Sequence, residues 1–216
     1  MNKKLTLPQT IIITLFCIMM ILAIFNMPQL GIFSIGVSAL FVVIATLSDS
    51  KGIFISIAMV ILGLVLFIKP IYIFDICLNF IIPGIIIGMI TKNVLNHRED
   101  NKYNPIFMGT IAFIIGLIAN YLISKYLFNI NILEEFTSVM KTQLSTQISA
   151  IQESVSSLAS VSNITEESII QTVLNIMPLI LFSRSIMLSI LTYFLAIHLY
   201  NTYHYISSHR HPLLRE

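Results

Sequence analysis

The chain has 216 residues, of which 56% are hydrophobic and only 10% charged, with a net charge of +2 and a mean hydropathy of +0.91. Soluble domains carry about 25% charged residues, so this composition excludes an ordinary water-soluble domain and makes the lipid bilayer the reasonable solvent. There is no basic cluster of the kind that neutralises nucleic-acid phosphates, and Cys17 and Cys77 sit singly in apolar runs, as small buried hydrophobes rather than a disulfide or metal framework.

A helix that crosses a bilayer needs about 20 apolar residues. The opening MNKKLTLPQTIIITLFCIMMILAIF has the basic end and apolar core of a signal peptide. No small-x-small cleavage site follows it, however, and another apolar run comes directly after. It is expected to be a retained first span, residues 8–25. No charge occurs between Lys4 and Asp49, which is too long for one crossing. Asn26-Met27-Pro28-Gln29 divides it, because proline forces the preceding residue out of helix. The second span is then 30–47, and Ser48-Asp49-Ser50-Lys51 makes a polar turn. The third is 52–68, closed by Lys69-Pro70, and the fourth is 71–91. A charged loop leads to the fifth span, 105–128, with Pro105 acceptable in a first helical turn.

Residues 129–172 differ in character, being rich in Ser, Thr, Gln and Glu. Leu133, Phe136, Met140, Leu144, Ile148, Ile151, Val155 and Leu158 recur at intervals of three and four, which predicts one apolar stripe on a long amphipathic helix. Asn163-Ile164-Thr165-Glu166 has the form of a capping box that starts a new helix. The sixth span is 173–206, with Pro178 expected to kink it or mark its true start. Tyr193, Tyr200, Tyr203 and Tyr205 in its last turns read as interfacial anchors, as do His198, His204, His209 and His211.

The expected fold is an all-α integral membrane protein. It is a single transmembrane domain over 1–216, with six spans and a long extracytoplasmic amphipathic helix between the fifth and sixth. Six crossings put both termini on one side. That side holds Lys3, Lys4, Lys51, Lys92, Arg98, Lys102, Arg210 and Arg215, against Lys69, Lys125 and Lys141 on the other. Basic loops stay in the cytoplasm, so both termini are expected inside, in a bacterial cytoplasmic membrane.

Two ionisable residues are predicted within the bilayer, Asp75 and Arg184. Each is costly there unless paired or wetted. At about 1.5 Å per residue their depths below the outer helix ends can match, so they are expected to pair, either as a clamp between helices or as the polar floor of a solute site. Pro83 removes a backbone hydrogen bond near mid-membrane, and broken helices often line binding cavities. Gly84-x-x-x-Gly88 lays two bare backbone patches on one helix face for close packing. No phosphate-binding loop, His-Glu-x-x-His or Gly-x-Ser-x-Gly occurs. No enzyme activity, cofactor or metal is therefore expected.

Several phrases point to a family. The segment PGIIIGMITKN, the run NINILEEFTSVMKTQL after the fifth span, and a long last helix opening near NIMPLILF resemble the YybS-like bacterial membrane proteins over about 30–214. That family is distantly similar to the membrane-embedded substrate-binding subunits of energy-coupling-factor vitamin transporters, which have six helices and no ATPase motif. The resemblance therefore implies a solute-binding or transport role. Two departures stand beside it. YybS-like proteins usually continue with further helices where this sequence stops, and the first span has only Ala23 where the vitamin-binding subunits carry an Ala-x-x-x-Ala docking face. The expected function is small-solute binding or transport. The alternative is a scaffold that engages a protein partner, or a second copy, through residues 133–158.

Overall fold

The computed structural model describes residues 4–96, 101–154 and 166–209, and among them it contains helices and turns with no strand. The helices are α1 (Leu7–Asn26), α2 (Ser34–Leu47), α3 (Ser50–Val65), α4 (Pro70–Ile76), α5 (Ile82–Asn96), α6 (Asn104–Leu127), α7 (Ile132–Ser154) and α8 (Glu166–His209). A 3-10 helix, Pro28–Phe33, joins α1 to α2, and a π-helical turn, Cys77–Ile81, joins α4 to α5 without a break. Among the described residues five stretches are long and apolar enough to cross a membrane: Leu7–Asn26, Gln29–Leu47, Pro70–Asn96, Asn104–Leu127 and Glu167–Tyr205. The expected third span is a shorter apolar helix of 16 residues, Ser50–Val65.

The described residues up to Asn120, with those from Arg184 onward, form one compact unit, and Tyr121–Ser183 form a second. In the first unit α2 is the centre. Residues Val37 to Leu47 are buried throughout except Leu40. A helix that is apolar all round is one that is surrounded. One face of α2 contributes Val37, Phe41 and Ile44 to a cluster with Cys17 and Ile21 of α1 and Val60 and Leu64 of α3. The other contributes Ala39, Val42 and Val43 to a cluster with Ile87, Phe113 and Ala196.

Polar groups line the inside and apolar groups the outside, the arrangement a hydrocarbon solvent favours. Thr10, Thr14, Ser38, Ser56, Ser185, Ser189 and Thr192 are buried, while Ile12, Phe16, Met19, Phe54, Leu62, Phe107, Ile115 and Phe194 are exposed. In lipid, helix association rests on close packing and interhelical hydrogen bonds instead of hydrophobic burial. Thr14 Oγ1 donates to Ser56 Oγ at 3.0 Å between α1 and α3. Thr46 Oγ1 lies 3.2 Å from the Gly88 carbonyl between α2 and α5. The α2–α5 pair is the most extensive. A Cβ on Gly84 would stand 2.6 Å from the Ser38 carbonyl oxygen, and one on Gly88 would stand 2.5 Å from that of Val42.

Two details differ from the sequence reading. The second helix begins at Ser34 rather than Leu30, because the residues after Pro28 wind into the tighter 3-10 turn. Pro178 does not mark a helix start, because the helix that begins at Glu166, where the sequence offers a capping box, runs on through it. Tyr193, Tyr200 and Tyr203 pack against the second buried cluster, leaving Tyr205 exposed.

In the second unit, α7 places Leu133, Phe136 and Val139 in the open, with Glu134 and Glu135 in its first turn. The side chains of Ile148 and Ile151, and residues Val155, Leu158 and the proposed cap at Asn163–Thr165, lie outside the described residues.

Candidate functional site: a polar cavity in the first unit

The site begins with Pro83. Its ring cannot tolerate the carbonyl four residues back, and it has no N–H for the helical ladder. The chain answers with the π turn just upstream, where the Ile82 N–H bonds the Cys77 carbonyl five residues away. Single π turns inside helices frequently mark functional sites. Here the helix is widened, not broken.

The π turn needs room, and α6 supplies it at Gly116. A Cβ there would overlap the Leu78 carbonyl. One helical turn beyond Gly116, on the same face, stands Asn120. Its amide Nδ2 donates to Asp75 Oδ1 at 2.7 Å. Asn79, one turn beyond Asp75 and within the π segment, donates Nδ2 to the same oxygen at 2.6 Å. Two amides therefore converge on one carboxylate oxygen inside an apolar bundle. Among the described residues no side-chain hydrogen bond reaches Oδ2. Asn79 is buried, and its Oδ1 has no hydrogen-bond partner among the described residues.

Asp75 faces a cavity of about 490 Å³. Ile21, Ile24 and Phe25 of α1, Gly31, Val37 and Phe80 supply most of its apolar wall. Its polar groups are Asp75, Arg184, the Ser34 hydroxyl and the Tyr72 phenol. The volume is within the range typical of small-molecule sites, about 300–1,000 Å³, as is the pattern of a few polar groups on an apolar wall.

Asp75 and Arg184 thus share one cavity, but they do not form a direct ion pair. Among the described residues the one ion pair is Lys4–Asp49 at 2.9 Å, far along the sequence from this site. The carboxylate is instead held by neutral amides, and the guanidinium is left exposed at the wall. α1, the 3-10 turn and the start of α2 form much of the lining, and α6 acts through the Asn120 bond to Asp75. Gly84 and Gly88 lie on the α2 side of α5 and not in the cavity wall.

Asn79 and Asn120 were not singled out from the sequence. The available signal was the Asp75-x-x-x-Asn79 spacing, which puts both side chains on one helix face, and a lone amide in the apolar fifth span. No group of three or more metal-binding side chains occurs among the described residues.

Residues 14–214 match the family described as "Predicted membrane protein (DUF2232)". The chain belongs to the DUF2232 family. No curated protein and no solved structure matches it. Membership of DUF2232 agrees with the helical, apolar-surfaced architecture and identifies a membrane protein.

Proposed function

We propose that this DUF2232 protein binds a small amphipathic solute in the Asp75–Arg184 cavity, as the recognition step of a transport-type activity. The observation that carries the reading is the fixed carboxylate. Asp75 Oδ1 is tied by two amides, and Asp75 and Arg184 line the same 490 Å³ space. Unpaired charges in hydrocarbon are retained at a cost, and a ligand that brings a donor or cation to Asp75 and an acceptor or anion to Arg184 offsets that cost. The apolar wall suits the body of such a molecule. The resemblance to YybS-like proteins, and through them to vitamin-binding subunits, supports the same direction. The excess of Lys and Arg beside the termini supports a topology with both termini in the cytoplasm.

A second reading has its own support. Leu133, Phe136 and Val139 expose an apolar stripe on α7, whose polar residues include one lysine, Lys141, against Glu134, Glu135 and Glu153, unlike the Lys- and Arg-rich face usual for lipid-surface helices. This suits docking on a protein, and makes the chain a scaffold.

Native mass spectrometry of the full chain, gently extracted, separates the two. A small mass bound to the wild type and lost in Asp75→Asn and Arg184→Gln supports solute binding. A bare chain, or a protein partner retained in both variants, refutes it.

A further inference from the structure

A second cavity, of about 240 Å³, lies at the opposite end of α2 from the first and has a different chemistry. It is lined by Lys4 from the segment before α1, Thr46 and Leu47 at the end of α2, Lys92 and Asn96 at the end of α5, and Tyr200 of α8. Four parts of the chain are drawn together here. The Leu5 N–H bonds the Leu47 carbonyl at 3.1 Å, and Tyr203 Oη lies 3.2 Å from Gln9 Oε1.

The lining is one-sided in charge. Two ammonium groups, an amide and a phenol offer donors, and among the described residues no carboxylate lines it. Lys92 is half-buried and fixed in place, since its Nζ donates to the Ser48 carbonyl at 2.7 Å. That bond uses one of its three protons and does not neutralise its charge. Lys4 reaches Asp49 at 2.9 Å, so among the described residues the pair of lysines keeps one unmatched positive charge. Asp49 lies beside the pocket without lining it. Basic pockets between membrane helices, at the level of the headgroups, bind anionic lipid heads.

We propose that this pocket binds an anionic phosphate group, held by Lys4 and Lys92. Both a phospholipid headgroup and a soluble phosphate carry that chemistry, and both are tested. The site is independent of the Asp75 cavity, and neither proposal needs the other.

The experiment is native mass spectrometry of the full chain in detergent, titrated with phosphatidylglycerol. Phosphatidylcholine serves as the net-neutral control and inorganic phosphate as the competitor. Phosphatidylglycerol is expected to bind at least fivefold more tightly than phosphatidylcholine. Lys92→Gln is expected to weaken it about fivefold, the worth of one basic residue near an anionic surface. Asp49→Asn, which frees Lys4, is expected to strengthen it by a similar factor, and a misfolded variant cannot produce that gain. Lys51→Gln, a basic residue of α3 outside the pocket, is expected to change nothing. Displacement by millimolar inorganic phosphate supports a soluble ligand, and retention supports the lipid; either upholds the anion site. Equal binding of the two lipids overturns the proposal. So does an equal loss in Lys51→Gln and Lys92→Gln, or no gain in Asp49→Asn.

Discussion

Replacing Gly88 by alanine is expected to force α2 and α5 apart. The new Cβ would stand 2.5 Å from the Val42 carbonyl oxygen, 2.6 Å from the Ala45 Cβ and 3.0 Å from the Val42 Cα. None of these atoms is the tip of a flexible side chain. Comfortable separations between heavy atoms lie near 3.5–4.0 Å, so the helices must part by roughly 1 Å, which forfeits about a quarter to a half of each dispersion contact along the seam. Overpacking of this kind costs about 1–3 kcal/mol. The Thr46 Oγ1 to Gly88 carbonyl contact, 3.2 Å long, is lost as well. Interhelical bonds of that type contribute about 0.6 kcal/mol in membranes. The expected loss is therefore about 2–4 kcal/mol, read as a shift in reversible unfolding in mixed micelles followed by circular dichroism. Two other glycines calibrate it. Gly36→Ala would meet only the movable Met20 Cε at 3.1 Å, and Gly31→Ala would meet nothing within 4 Å. The expected order of destabilisation is Gly88, then Gly36, then Gly31, with the last within about 0.5 kcal/mol of wild type. A Gly88→Ala protein as stable as Gly31→Ala refutes the packing account.

Asn120→Leu keeps roughly the same volume and removes one of the two amides on Asp75. It is expected to cost about 1.5 kcal/mol in the same unfolding assay, the lower end for a hydrogen bond to a charged group, and to reduce retention of any solute in the first cavity. Asp49 supplies a pH dependence. Its hydrogen bond to Lys4, and then the Lys4 charge, hold its carboxyl below the ordinary value of 3.8. A depressed folded-state value contributes stability above the unfolded value and loses it as pH falls through the folded one. Wild type and Asp49→Asn are therefore expected to differ most above pH 4 and to converge as pH falls further, in melting temperatures recorded across that range. A difference that grows on acidification contradicts the pairing. The contribution of this solvated pair is small and is expected to shrink at high salt.

Much of the frame was readable because the bilayer imposes simple rules. Long uncharged runs, punctuated by Pro28, by Ser48 to Lys51, and by Lys69-Pro70, locate the helices. What escaped depended on contacts between distant segments. Pro83 signals a disturbed ladder, but not whether the helix breaks or widens. That outcome was decided by Gly116, which leaves space for the Leu78 carbonyl on another helix. Asp75 stands out as a charge in an apolar run, and Arg184 looked like its natural partner. Neutral amides from Asn79 and Asn120 hold it instead, and a single Asn in an apolar run carries little signal. Three of the four tyrosines of α8 are half-buried against the second cluster, a contact the sequence could not show because periodicity in a helix apolar on most sides does not reveal which face meets protein. The cavity walls on α1 were invisible for the same reason, since Ile21, Ile24 and Phe25 look no different from the residues around them.

Occupancy of the first cavity is the most direct test of solute binding. Ser34→Phe would fill that space from the start of α2 while leaving Asp75, Asn79, Asn120 and Arg184 intact. Native mass spectrometry of the wild type and Ser34→Phe, extracted side by side, is expected to show a small molecule on the wild type alone, with similar melting temperatures for both. The same small mass on both proteins would show that the ligand sits elsewhere and would contradict the assignment of this cavity as the binding site.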